Sequence, residues 1–176
     1  MYTCCIVAVV RGMTFLDNIM YLVCDGSYSY RIRRFNKYTG ERLEQDIRVV
    51  GMKNPWDIVV CRNDRQLYIA DWKHCIWRVS TDDHSFVNWL PTESTEFDQP
   101  ALSLTSRRLL LTSSDNIRQY STVDKGLLCV VPLVHLPYVQ ELYHAVETRR
   151  GTFLVCHKGT LQDEEQFAVS ETVWLL

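Results

Sequence analysis

Three observations in this 176-residue sequence predict an all-β fold: a β-propeller of four-stranded antiparallel blades, with about four blades present. The first is recurrence. Tyr21-Leu22-Val23-Cys24-Asp25, Leu67-Tyr68-Ile69-Ala70-Asp71, Leu110-Leu111-Thr112-Ser113-Ser114 and Phe153-Leu154-Val155-Cys156-His157 look alike, and their last residues stand 46, 43 and 43 positions apart. The second is the period itself, since repeats in the forties belong to propeller blades or to helical arrays. The third is composition. The segments are rich in β-branched and aromatic residues and are divided by turn-forming clusters, while no convincing amphipathic run of ten or more residues carries the helical period of 3.6.

The elements follow in order. In the first unit, 21–25 reads as a strand, 32–35 as another, Thr39-Gly40 as a turn and 43–50 as the closing strand. The second unit, 55–90, is the clearest. Trp56-Asp57-Ile58-Val59-Val60 is β-prone, and Arg62-Asn63-Asp64-Arg65 turns the chain into 67–71. A break at Lys73-His74 leads to Cys75-Ile76-Trp77-Arg78-Val79, then the turn Thr81-Asp82-Asp83-His84 and the strand 85–90. Four strands of about five residues with turn chemistry between them compose one propeller blade. Ile58, Val60, Tyr68, Ala70, Ile76 and Trp77 are expected among its buried positions. Within 67–71, Leu67, Ile69 and Asp71 share one face and Tyr68 and Ala70 the other. Both faces are expected to be buried, which explains the near-continuous apolar run. The third unit is read as strands 101–105, 109–113, 117–121 and 127–131, the fourth as 143–147 and 152–156.

At this period a six-bladed ring needs roughly 260 residues. The chain is therefore expected to be one partial propeller, with approximate blades 1–53, 54–98, 99–138 and 139–176, completed by missing blades or another chain; the lesser alternative is a closed four-bladed ring, since propellers close with about four to eight blades. Its open strand edges should pair with another chain.

Composition sets the outer bounds. With 47% hydrophobic and 23% charged residues the chain can bury a core, which argues against disorder. It holds no apolar run of about 18 residues that would span a membrane. A net charge of −2 gives no global attraction for nucleic acid or anionic lipid. Seven cysteines, with no C-x-x-C pair, sit mostly in apolar runs as small hydrophobes, and no zinc site is expected. The apolar start lacks a basic segment and a cleavage site, so a cytoplasmic location with reduced thiols is expected.

The stretch Pro55-Trp56-Asp57-Ile58-Val59-Val60, Leu67-Tyr68-Ile69-Ala70-Asp71 and Ile76-Trp77-Arg78-Val79 resembles one NHL repeat, with similar patterns in YWTD and gluconolactonase-like propellers. The likeness is partial over 21–35 and weak in the last two units, where Ser114 and His157 stand in place of the Asp. The Gly usual before the second strand is missing at Gln66, and no Trp-Asp dipeptide closes the third strand as in WD40 blades. The resemblance implies a six-bladed ring and an interaction module for protein or, in some members, RNA. Ligase activity in that family belongs to RING and B-box zinc modules, which this chain lacks.

Asp71 and Asp25 end strands, where a carboxylate accepts amides of the following turn. A metal role would need further carboxylates converging on the same channel. His74 and His84 lie in turns, His135 precedes a loop, and His144 and His157 flank strands. His157 beside Cys156 cannot form a dyad, because neighbours on a strand point to opposite faces. Arg62, Arg65, Arg107, Arg108, Arg149 and Arg150 fall in turns between first and second strands, as a possible basic arc or as solvated ion pairs with Asp82, Asp83 and Asp124. The opposite loop face should carry Trp72, Lys73, His74, Tyr28, Tyr30 and Tyr138, with Lys158, Glu93, Glu96 and Glu141, a mixed and aromatic surface suited to a protein partner. No catalytic residue, metal or other cofactor is expected. The function read from the sequence is a non-catalytic protein-binding propeller. The alternatives are a metal-dependent gluconolactonase-like hydrolase and an RNA-binding module.

Overall fold

Among the described residues, turns divide the chain into fifteen strands, and there is no helix. The structure, a computed structural model, describes residues 9–24, 31–91, 100–113, 116–132, 139–159 and 167–172. It divides into two units, Met1–Pro91 and Thr92–Leu176.

The first unit holds two sheets. One is β1 (Val10–Leu16), β2 (Ile19–Cys24), β3 (Arg31–Asn36) and β4 (Ile47–Arg48), and the other is β5 (Pro55–Cys61), β6 (Gln66–Asp71), β7 (Cys75–Ser80) and β8 (Phe86–Pro91). In each, the strands are hydrogen-bonded in sequence order and antiparallel. The second unit repeats the plan with β9 (Ala101–Thr105), β10 (Arg108–Thr112), β11 (Asn116–Ser121) and β12 (Leu127–Pro132). Its other sheet has three strands among the described residues: β13 (Val139–Glu147), β14 (Phe153–Gly159) and β15 (Phe167–Thr172).

The core of the first unit lies between its two sheets. Leu16, Tyr21, Val23, Ile32 and Ile47 from one meet Ile58, Leu67, Ile69 and Val79 from the other. The first strands β1 and β5 approach so closely that a Cβ on Gly12 would sit 2.8 Å from the Ile58 nitrogen and 2.9 Å from the Asp57 Cα. Only glycine fits between two backbones at that separation. On the other face of the second sheet, Tyr68 is buried edge-on against Trp89, with ring centroids 5.1 Å apart. Every residue from Leu67 to Asp71 is buried, so both faces of β6 are covered. Of the six expected buried positions, Ile58, Tyr68, Ala70 and Ile76 are buried, whereas Val60 and Trp77 are half-buried at the margin of the core.

In the second unit, Leu110, Ile117, Val131, Leu142, Ala145, Phe153 and Val155 form the core. Its first strands are tied by side chains. Ser103 Oγ donates to the Ala145 carbonyl (2.7 Å), and His144 Nε2 lies 3.2 Å from the Leu102 carbonyl oxygen.

Some expected elements differ. Strand β1 was not anticipated, because exposed Val10, Met13 and Phe15 together with Gly12 blur its alternation. The strand expected over 43–50 shrinks to Ile47–Arg48. The polar run before it forms a wide turn in which Arg34 Nε donates to the Gln45 carbonyl (2.6 Å). Strand β15 was also missed, and His144 and His157 lie within β13 and β14, not beside them.

The turns between third and fourth strands share one design. Ser80 Oγ accepts the Asp82 and Asp83 amides, Ser121 Oγ those of Val123 and Asp124, and Asn36 Oδ1 those of Tyr38 and Thr39. The next residue adopts a left-handed backbone each time: Gly40 at φ 70°, His84 at 60° and Lys125 at 64°. Arg65, at φ 52°, holds a left-handed place directly before β6, one residue ahead of Gln66 where the resemblance leads one to expect Gly.

Candidate functional site

The loop end of the first unit, opposite those turns, is organised by Asp71. The residue closes β6 and is 1% exposed. Its Oδ1 accepts the Asn54 amide at 2.6 Å, and its Oδ2 accepts the Lys53 amide and the Trp77 indole Nε1–H, each at 3.0 Å. A buried carboxylate requires such donors to offset its lost hydration. The amides come from the loop before β5, a correction to the expectation that the carboxylate caps the turn after it. In that following turn it is the Asp71 carbonyl that accepts the His74 amide (2.9 Å). The Trp72 amide donates to the Asn54 carbonyl (2.8 Å), which fastens the turn 72–74 to the loop 53–54.

On this clamp stands a row of alternating charge and ring. Arg11, exposed at the start of β1, places its guanidinium 4.4 Å from the Trp56 ring centroid. Trp56 packs on Trp72 at 5.5 Å with the rings tilted by 46°. Lys73, held exposed at φ 60°, brings Nζ to 4.8 Å from the Trp72 ring. His74 is half-buried beside them. Trp72, Lys73 and His74 were read from the sequence, whereas Arg11 and Trp56 were not. The available signal was their place at the N-terminal ends of two first strands, which adjacent sheets bring side by side. Tyr28, Tyr30 and Tyr138 lie outside the described residues, as do Asp25, His135, Glu93 and Glu96.

The acidic members expected on this loop face, Glu93, Glu96 and Glu141, have no described side chains, and among the described residues of the first unit the exposed charged side chains there are Arg11, Arg48, Lys53 and Lys73. Asp57 is half-buried, with Oδ1 on the Ile58 amide (2.7 Å).

At the opposite end of the first unit, Arg65 bridges two carboxylates, Asp17 at 2.8 Å and Asp82 at 2.7 Å. Those bonds raise its pKa above the ordinary value. Arg62 is exposed in the same turn. In the second unit, Arg107, Arg149 and Arg150 are exposed in the corresponding turns, and Arg108 pairs with Glu147 at 3.0 Å. The structure thus gives ion-pair partners to Arg65 and Arg108.

Other reactive groups are engaged or buried. Burial pushes the Cys75 thiol up to about 12, with Asp71 adding to the shift. Burial likewise raises Cys61 and Cys129. His157 is buried, its Nδ1 without a hydrogen-bond partner. Among the described residues, no three His, Cys, Asp or Glu side chains are grouped to hold a metal ion. Among them too, no helix is long and apolar enough to cross a membrane.

No protein-family model matches this chain, and no curated protein matches it. Solved structures do. The chain is similar to the WD40 β-propeller domain of Doa1, with 13% identity and a TM-score of 0.65 over 85% of this chain and 48% of that one. It is similar to a chain of the nidogen/laminin complex, with 15% identity and a TM-score of 0.63 over 87% of this chain and 58% of that one. It is also similar to the hydrazine synthase of Kuenenia stuttgartiensis, with 12% identity and a TM-score of 0.64 over 92% of this chain and 49% of that one. The chain spans about half the length of each of these three. Sequential four-stranded sheets and these likenesses together show a β-propeller fold.

Proposed function

We propose that this chain is a non-catalytic interaction module that binds a protein partner through the loop end carrying Arg11, Trp56, Trp72, Lys73 and His74. The observation that carries the reading is the Arg11–Trp56–Trp72–Lys73 row. Trp and Arg dominate the residues that carry binding energy at interfaces. The Asp71 clamp holds the row's two loops in place before any partner arrives, which reduces the ordering cost of association. A nidogen/laminin complex among the structural neighbours supports the reading at the level of fold. The filled carboxylate of Asp71 and the raised thiols support a non-catalytic role. In the same proposal, the four sheets act as blades over 1–53, 54–98, 99–138 and 139–176 of a six-bladed, NHL-like ring. Further blades or another chain complete it, and it resides in the cytoplasm, where the buried thiols of Cys61 and Cys75 stay reduced.

Photo-crosslinking in cells tests the function. A photoreactive residue in place of Lys73 is expected to capture a discrete protein, and the same probe in place of Arg62 is expected not to. Equal capture from both positions, or capture of RNA alone, refutes the proposal.

A further inference from the structure

We propose that a cavity at the turn end of the second sheet binds a small zwitterion, an α-amino acid with an apolar side chain, its carboxylate on Arg78 and its ammonium towards Asp83. The site is separate from the loop-end row and does not depend on it. The cavity, about 230 Å³, is bounded by Arg78, Ser80, Asp83, Ser85, Phe86 and Val87, together with Gln66. It is smaller than the roughly 300–1,000 Å³ of pockets that enclose drug-sized molecules. At about 30 Å³ per water it offers the space of about eight waters, which suits a single amino acid.

Arg78 on β7 stands opposite Tyr68 on β6 and Val87 on β8, and it is half-buried. Its hydrogen-bond partner is the Tyr68 side chain. Burial pushes that phenol up to about 12, so Tyr68 stays neutral and gives the guanidinium no counter-charge. The neighbouring carboxylates are committed elsewhere: Asp82 to Arg65, and Asp64 to the Cys61 thiol. Among the described residues, no carboxylate forms an ion pair with Arg78. A guanidinium carries five N–H donors, and a carboxylate that takes two of them at once is its strongest complement.

Asp83 sets the second requirement. Ser85 donates its amide (3.1 Å) and its hydroxyl (2.8 Å) to Asp83 Oδ1. Bonds from Ser80 and then Ser85 hold the Asp83 carboxyl at about 2, so it is ionised at every ordinary pH. A simple anion such as phosphate meets that negative charge, and a simple cation meets Arg78; a zwitterion answers both. Phe86, set edge-on to Trp77 at 6.0 Å, and exposed Val87 supply an apolar wall for its side chain. The turn is formed before any ligand arrives. Ser80 Oγ accepts the Asp82 and Asp83 amides, and the Ser80 amide donates to the Ser85 carbonyl at 2.8 Å, which lowers the ordering cost of binding.

The test is titration calorimetry on the full chain with five probes: leucine, phenylalanine, leucine methyl ester, N-acetylleucine and inorganic phosphate. Leucine or phenylalanine is expected to bind. The ester, which lacks the carboxylate, and the N-acetyl compound, which lacks the ammonium, should each bind at least about tenfold more weakly. Arg78→Gln should lose about tenfold or more. Because Arg78 also serves Tyr68, Val87→Trp is the second variant: it fills the cavity from an exposed position and should abolish binding with an unchanged melting midpoint. An ester or an N-acetyl compound that binds as well as leucine would overturn the zwitterion, as would phosphate binding best. Amino-acid binding that neither variant alters would overturn the site. No binding of leucine or phenylalanine would overturn the proposal, and protein binding at the loop end stands in every case.

Discussion

Asp71 exchanges hydration for the amides of Lys53 and Asn54 and the Trp77 indole, so an amide in its place alters little except charge and hydrogen-bond count. Asp71→Asn should cost about 1.5–3 kcal/mol, because one carboxamide oxygen cannot serve all three donors. Urea unfolding checks this, and an unchanged midpoint would show that the clamp carries no stability. The left-handed turn position offers the converse. Gly40, His84 and Lys125 occupy equivalent places, and the two that are not glycine bear a Cβ in a backbone region where it is strained. Lys125→Gly should therefore stabilise by up to about 1 kcal/mol, read as a raised melting temperature. Asp71's strand was legible in the sequence because the residues before it form a near-continuous apolar run bounded by turns. Its donors were not, since they come from a loop some seventeen residues earlier that no local pattern connects to it.

At the scale of elements, β6 is covered on both faces. Ala70→Phe should lower stability by about 1–3 kcal/mol through overpacking. An unchanged unfolding midpoint would mean that β6 is not enclosed. A second contact links β3 to the turn between β7 and β8: Arg34 Nη1 lies 3.2 Å from His84 Nε2. A guanidinium only donates, so that nitrogen must accept and the imidazole must be neutral. Burial, then Arg34, holds the His84 pKa below its ordinary 6.5, with Asp83 opposing. The folded protein thus takes up this proton less readily than the unfolded chain. The contribution is intact above pH 6.5 and is lost as pH falls from there through the lower folded value. His84→Gln should flatten the stability profile in that window. A profile that keeps its slope would assign the loss to other groups. Strands in the second and third sheets were readable because each has apolar alternation and strong turn chemistry. Strand β4 was not, for its neighbours Glu44, Gln45 and Asp46 belong to a turn held by tertiary contacts.

At the scale of the molecule, the first sheet has one face in the core and another that is less covered. Met13 is 53% and Phe15 38% exposed, and their cross-strand partners Leu22 and Met20 lie on the same face. In a ring completed by other blades, this face takes the preceding blade. Sedimentation velocity should show association that rises with concentration and weakens in Met13→Glu, Phe15→Lys, and a monomer at every concentration would speak against the open ring. The blade architecture was legible because a repeat of about 44 residues appears four times in the sequence. The cation–aromatic row was only half legible. Trp72 and Lys73 announce themselves as turn residues, but Arg11 and Trp56 reach them only because the first strands of two sheets lie side by side.

Sequential strand order has a consequence in time. Within a sheet each strand hydrogen-bonds to the one made just before it, so a sheet can assemble while later sheets are still unsynthesised, and contact order within it stays low. Tyr21, Val23 and Ile32 nevertheless wait for Leu67 and Ile69 to arrive. During translation the emerging first sheet therefore presents a sticky surface for the few seconds that about forty further residues require. That interval is the period in which a chaperone has something to hold, and it ends when β6 emerges to cover the surface.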